Sequence, residues 1–187
     1  AETEADEDDF WEKIKITSKS KSKRMKNVQL VSELLLIIID KKIMGFDQDY
    51  LDEKYAGLDS LEENEDFDLD IYMSNKNRVK GFVNDMENYN NSITIHAKTA
   101  NNIYTLFALI ALENILDNAS QFADKYDLFM RLVETFKDID GDEEQEENVP
   151  KPINWDNAKK YYANTLGAST EPPQRQARYE ALKDALL

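Results

Sequence analysis

A mainly α-helical bundle is the fold class this sequence predicts, and three observations predict it. Residues 24–43 (RMKNVQLVSELLLIIIDKKI) and 103–116 (IYTLFALIALENIL) put apolar side chains on every face of a helix, the pattern of an element buried on all sides. Between and after them, apolar residues recur at close to helical spacing as one-sided stripes behind residues suited to N-caps. The end of the chain reads as two helices separated by Gly167 and restarted by Pro172 and Pro173. The expected architecture is about six to eight helices around two buried central ones, closed by a C-terminal helical hairpin.

Taken in order, the chain begins with segregated charge: seven acidic residues fall in 1–12, then seven basic and no acidic ones in 13–26. Such blocks are expected to be exposed. Phe10, Trp11, Ile14 and Ile16 interleave with them and suggest a short, partly ordered docking element. Residues 24–43 form the first buried helix, with Gly45 as its stop. Asp47 then caps a short helix to Lys54 or Tyr55, carrying Tyr50 and Leu51. The acidic stretch 59–70 alternates Phe67, Leu69 and Ile71 and is open between loop and short strand.

Ser74 or Asn75 is the expected cap of a half-buried helix whose stripe is Val79, Phe82, Val83, Met86 and Tyr89, broken at Asn90, Asn91 and Ser92. Thr99 caps the second buried helix, which pairs with the first. From Asn118 or Ser120 to about Asp138, Phe122, Tyr126, Phe129, Val133 and Phe136 form one stripe, expected to cover that pair. Residues 141–152 hold five acidic residues and two prolines without an apolar period and read as loop or linker. Asn154 caps a helix to Leu166, and Thr170 precedes the last helix. The organisation expected is a charged segment over 1–23, a helical core domain over 24–140, a linker over 141–152, and a hairpin over 153–187 packed on the core.

A chain of 187 residues can bury about 70% of its unfolded surface, enough for a sizeable core. Its net charge of −15 argues against a nucleic-acid footprint over the whole surface, which needs a basic face. Zero cysteines exclude disulfides, thiolate catalysis and Cys-ligated metal, and fit a reducing compartment, so a cytoplasmic setting is expected. The longest apolar runs, 34–39 and 106–112, fall far short of the ~20 residues of a membrane span, and the acidic N-terminus is unlike a secretory signal.

No catalytic constellation is legible. Asp138, Asp140 and Asp142, like Asp66, Asp68 and Asp70, alternate as in a calcium loop. An EF-hand, however, needs glycine at its sixth position and glutamate at its twelfth, where these stretches place Glu143 and Val149, or Ile71 and Asn77. His96, the single histidine, lies in the β-branched segment ITIHAK without evident partners and reads as a packed or surface residue. Five glycines form no phosphate-cradling motif, and no metal or cofactor is expected. Lys19, Lys21, Lys23, Arg24 and Lys26, spaced by serines, form the candidate phosphate- or DNA-contacting strip; alternatively they neutralise the acidic lead. Arg175 and Arg178, three apart on the last helix, either extend that strip or pair with Glu171 and Glu180.

Three segments in order, FWEKIKI with KSKRMKNVQLVSELLLIII, NIYTLFALIAL, and YYANTLGASTEPPQRQARYEALKDAL, resemble the helical region of a bacterial family, the GmrSD-type restriction and phage-defence proteins (domain of unknown function 262). In that family a ParB/sulfiredoxin-like domain binds and hydrolyses nucleotide, and a mostly helical region follows it. The resemblance spans most of residues 10–187, but the nucleotidase's Gln-Arg-rich strand motif, its Asp-Gly-Gln-Gln-Arg motif and a His-Asn-His nuclease motif are not in the sequence. It therefore implies a non-catalytic helical part of a larger protein, or a relative that has lost the rest. That part would support an adjacent or separate nucleotidase domain, make weak DNA contact, and carry no catalytic residues. The alternative in another class is a free-standing acidic interaction protein that mimics nucleic acid toward a basic partner.

Overall fold

The computed structural model describes residues 9–17, 21–59, 67–139 and 151–187. Among the described residues there are nine helices and no strand. They are α1 (Asp9–Lys13), α2 (Lys21–Asp40), α3 (Gln48–Asp59), α4 (Leu69–Asn90), α5 (Ser92–His96), α6 (Ala100–Leu112), α7 (Ala119–Ile139), α8 (Trp155–Ala163) and α9 (Pro172–Leu186). The expected multi-helix bundle with a C-terminal hairpin is what the described residues form, with nine helices where six to eight were expected. Of the two helices expected to be buried on every side only α6 is, because Val28, Leu30, Leu36 and Ile39 of α2 are half-buried and Met25 is exposed.

Helix α6 is the axis. Every residue from Ile103 to Ile110 is buried, so its all-round apolar sequence meets neighbours on all sides: α2, α4 and α9. Thr99 caps it as expected, accepting from the Asn102 amide at 3.3 Å. Its end comes four residues earlier than the apolar run suggested, at Leu112, because Asn114 adopts φ 54° and the Ile115 amide bonds back to Ile110 O at 3.1 Å. That is a left-handed C-terminal turn, a conformation asparagine tolerates well.

Helix α2 packs on α6 through Val31, Leu34, Leu35, Ile37 and Ile38. It stops at Asp40, not near Gly45; Lys41 takes φ 51° and its amide reaches Ile37 O at 2.9 Å. Gly45 is needed for another reason, since a Cβ there would lie 2.7 Å from Cδ of Pro172 at the start of α9. Asp47 caps α3 as expected, accepting from the Tyr50 amide at 3.0 Å. Leu51 is buried, and Tyr50 donates to Asp40 at 2.8 Å, while Tyr55 bonds Ser32, so α3 is pinned along α2.

The sequence misplaced the start of α4. Asp68, not Ser74 or Asn75, is the N-cap, accepting from the Ile71 amide at 2.9 Å, so Leu69 and Ile71 belong to the first helical turn and not to a strand. Val79, Phe82, Val83 and Met86 are buried as the stripe requires, but Tyr89 is 54% exposed and donates to Asp124 at 3.0 Å. The β-branched ITIH segment is also helical. Glu87 accepts from both the amide and the hydroxyl of Thr94, at 3.0 and 2.8 Å, and this outweighs the local strand preference.

All five stripe residues of α7 are buried, yet its main neighbours are α4 and α8, not the α2–α6 pair it was expected to cover. Phe122 meets Phe82 edge-on, and Phe129 meets Tyr161, each with ring centres 5.6 Å apart. Helices α8 and α9 form the expected hairpin. Asn154 stands at the N-cap position of α8 with φ 71° but spends its side chain on Ala185 O at 3.2 Å, and α8 ends at Ala163, before Leu166. Glu171 is the residue before α9, in place of Thr170. The expected linker lies mostly outside the described residues.

At the other end, α1 is a core element. Trp11 and Ile14 are 0% and 1% exposed, and the Trp11 ring lies 6.2 Å from that of Phe107 on α6.

Candidate functional site

Of the cationic strip, Lys19 lies outside the described residues, Lys21, Lys23 and Arg24 stand in the first turn of α2, and Lys26 is exposed. The two arginines of α9 do not extend it. Arg175 is 5% exposed and pairs with Glu33 of α2, donates to Met44 O at 2.9 Å, and lays its guanidinium 3.9 Å from the centre of the Tyr104 ring. Arg178 is fully buried; it donates to Ser169 O at 2.8 Å, to Asn164 O, and to the Thr105 hydroxyl at 3.2 Å. Burial lowers its pKa, with Tyr161 opposing. Neither pairs with Glu171 or Glu180, and Glu180 instead meets Lys160 at 3.0 Å. Both face the wrong way for phosphate in solution.

His96 is buried at the end of α5, edge-on to Tyr126. Its Nε2 lies 2.8 Å from Asp127 and its Nδ1 3.4 Å from Glu134, both on α7. With a carboxylate opposite each ring nitrogen, neither is left to take a proton from a hydroxyl nucleophile, the task a catalytic triad sets. Asp127 also accepts from Arg131 at 2.8 Å; Arg131 first and His96 second hold its carboxyl below the usual range against partial burial. The histidine therefore ties α5 to α7.

The two calcium-like stretches come apart in the fold. Asp68 is a helix cap, Asp70 lies in the first turn of α4 and Asp138 in the last turn of α7, while Asp66, Asp140 and Asp142 fall outside the described residues. Among the described residues no three His, Asp or Glu side chains are placed to hold a metal ion, and no helix is long and apolar enough to cross a membrane. Among the described residues, four ion-paired carboxylates lie on different parts of the bundle. Asp40 on α2, Glu113 just past the end of α6, Asp127 on α7 and Glu180 on α9 are each paired with a cation: Lys54, Lys183, Arg131 and Lys160.

Two grooves remain that sequence reading did not find, because each is assembled from separate helices. One, of about 450 Å³, runs between α2 and α3 and is lined by uncharged residues, including Met25, Val28, Leu51 and Tyr55. The other, of about 460 Å³, opens where the ends of α2 and α6 meet α4. Its floor is apolar and its rim holds Lys41, Arg78, Asn75 and Asn114.

The class these features define is an all-helical bundle braced by buried arginines. Comparison with family models, with curated proteins and with solved structures returned no match.

Proposed function

We propose that this chain is a non-catalytic helical scaffold of the kind found in restriction and phage-defence proteins, supporting an adjacent or separate nucleotidase domain. The observation that supports the reading best is the fate of the polar groups most able to do chemistry. Arg175 and Arg178 are spent as internal braces of the last helix, and both nitrogens of His96 are occupied by carboxylates. Such an interior resists deformation and suits a part that positions another domain. The four ion-paired carboxylates Asp40, Glu113, Asp127 and Glu180, placed on separate parts of the bundle, weigh against a nucleic-acid mimic, which needs a continuous acidic face.

Purified chain incubated with GTP or ATP and Mg²⁺ is expected to release no phosphate above buffer. Hydrolysis that scales with protein concentration and survives repurification would remove the scaffold reading.

The strip at the start of α2 supports the contact role. Weak DNA binding is expected, falling steeply with salt as counterion release requires, and reduced when Lys21, Lys23 and Arg24 are together changed to glutamine. Equal fluorescence anisotropy of labelled duplex with parent and triple variant at low salt would retire the contact.

A further inference from the structure

We propose that the groove between α2, α4 and α6 is a binding site for a small amphipathic carboxylate, one anionic head on an apolar chain. The groove holds about 460 Å³, within the range of about 300–1,000 Å³ typical of small-molecule sites. Ile37, Ile38, Val79 and Ile110 make its floor, and Leu112 and Leu116 its wall. The Tyr179 ring joins that floor with its hydroxyl turned away to Glu113.

Charge decides the class of ligand. The chain carries 38 acidic and 23 basic residues, yet the groove is lined by two cations, Lys41 and Arg78, and by no carboxylate. Neither cation has an ion pair among the described residues. Arg78 is nevertheless held in place: one terminal nitrogen donates to Asn114, the other to Asn75 at 3.3 Å. A guanidinium has five N–H donors, so three stay unspent and oriented.

Both cations stand near the C-terminal turns of α2 and α6, where positive charge is favoured by the helix dipole. That accounts for their position but gives Lys41 and the three remaining Arg78 donors no acceptor among the described residues, and a carboxylate supplies one in the bidentate geometry arginine prefers. An apolar chain on the head covers the floor. A neutral apolar ligand would leave the donors unmatched, and a simple anion would leave the floor wet. Three features, the Lys41 backbone turn, the Asn114 turn and the Arg78 amide clamp, come from three different helix segments and converge on this one opening.

The test is calorimetric titration of the full chain with octanoate, far below its micelle concentration, beside octanol and acetate. Octanoate is expected to fill one site, octanol to bind at least roughly tenfold more weakly, and acetate not to bind measurably. The K41Q/R78Q double variant changes two exposed side chains and is expected to weaken octanoate at least roughly tenfold while leaving octanol unaffected. Should that variant melt at lower temperature, L116E serves instead, since it places a carboxylate in the groove without touching the cations and is expected to abolish octanoate binding. No saturable octanoate binding, equal affinity for octanol, or undiminished octanoate binding in a folded K41Q/R78Q or L116E variant would each overturn the proposal.

Discussion

Replacing Glu33 by alanine is expected to lower the free energy of unfolding by about 3–5 kcal/mol, the cost of stranding a buried charge. Glu33 and Arg175 are separated by 142 positions and both are buried. One Glu33 oxygen takes the Arg175 guanidinium and the other accepts from Gln29 at 3.1 Å. Around the arginine, Tyr104 offers its ring face, and its hydroxyl both donates to Met44 O and accepts from the Met44 amide, each at 3.1 Å. Removing the carboxylate leaves a 5% exposed guanidinium with the Met44 carbonyl and the Tyr104 ring as its partners among the described residues, neither of which carries a compensating charge.

A double variant with methionine at both positions is expected to recover most of that loss, because apolar side chains of similar volume escape the desolvation penalty altogether. The exposed Lys160–Glu180 pair is the contrast, 43% and 47% exposed, and Lys160→Ala should cost no more than about 1 kcal/mol. Urea denaturation of the four proteins measures all of this. A loss below about 1 kcal/mol for Glu33→Ala would mean that the arginine finds solvent after all, and the description of α9 as braced from inside would fail.

The Glu33–Arg175 pair also shows what the sequence could and could not disclose. Helix α6 was legible because its eight consecutive buried residues, Thr105 apart, put apolar side chains on every face, a property of the segment itself. The stripe of α7 was legible for the same reason, but not which helices it would meet. Arg175 and Arg178 read as surface residues because position on a helix says nothing about a carboxylate arriving from the far end of the chain. His96 read as packed or on the surface, and it is packed; its two carboxylate partners on α7 became visible only when α5 folded as a helix. Helix ends were the least legible feature. Three of the turns that set them use Lys41, Asn91 and Asn114 at positive φ, where glycine is the usual signal, and Gly45 serves a close contact instead. The groove residues Lys41, Arg78 and Asn114 share no local pattern and could be found only in three dimensions.

The second large effect is expected at the other end of the chain: Trp11→Ala should cost about 3–5 kcal/mol, as large-to-small changes in a core do. Trp11 is fully buried, packs edge-on against Phe10 at 4.8 Å between ring centres and against Phe107 of α6, and lies under the Lys80 ammonium at 5.5 Å. Lys13 adds a bond to Asn88 of α4 at 2.9 Å, and Lys15 closes the turn at φ 59° so that Ile16 and Thr17 bond back to Trp11 O. Among the described residues the indole N–H has no hydrogen-bond partner, so the tryptophan contributes volume and apolar area, not a polar contact. Trp11→Phe, which retains an aromatic ring and discards that N–H, should therefore recover much of the loss. Thermal denaturation followed by far-UV circular dichroism separates the variants. If Trp11→Ala melts with the parent, the charged lead is an appendage resting on the bundle. A large loss rescued by phenylalanine makes its aromatic residue a member of the same core as Phe107.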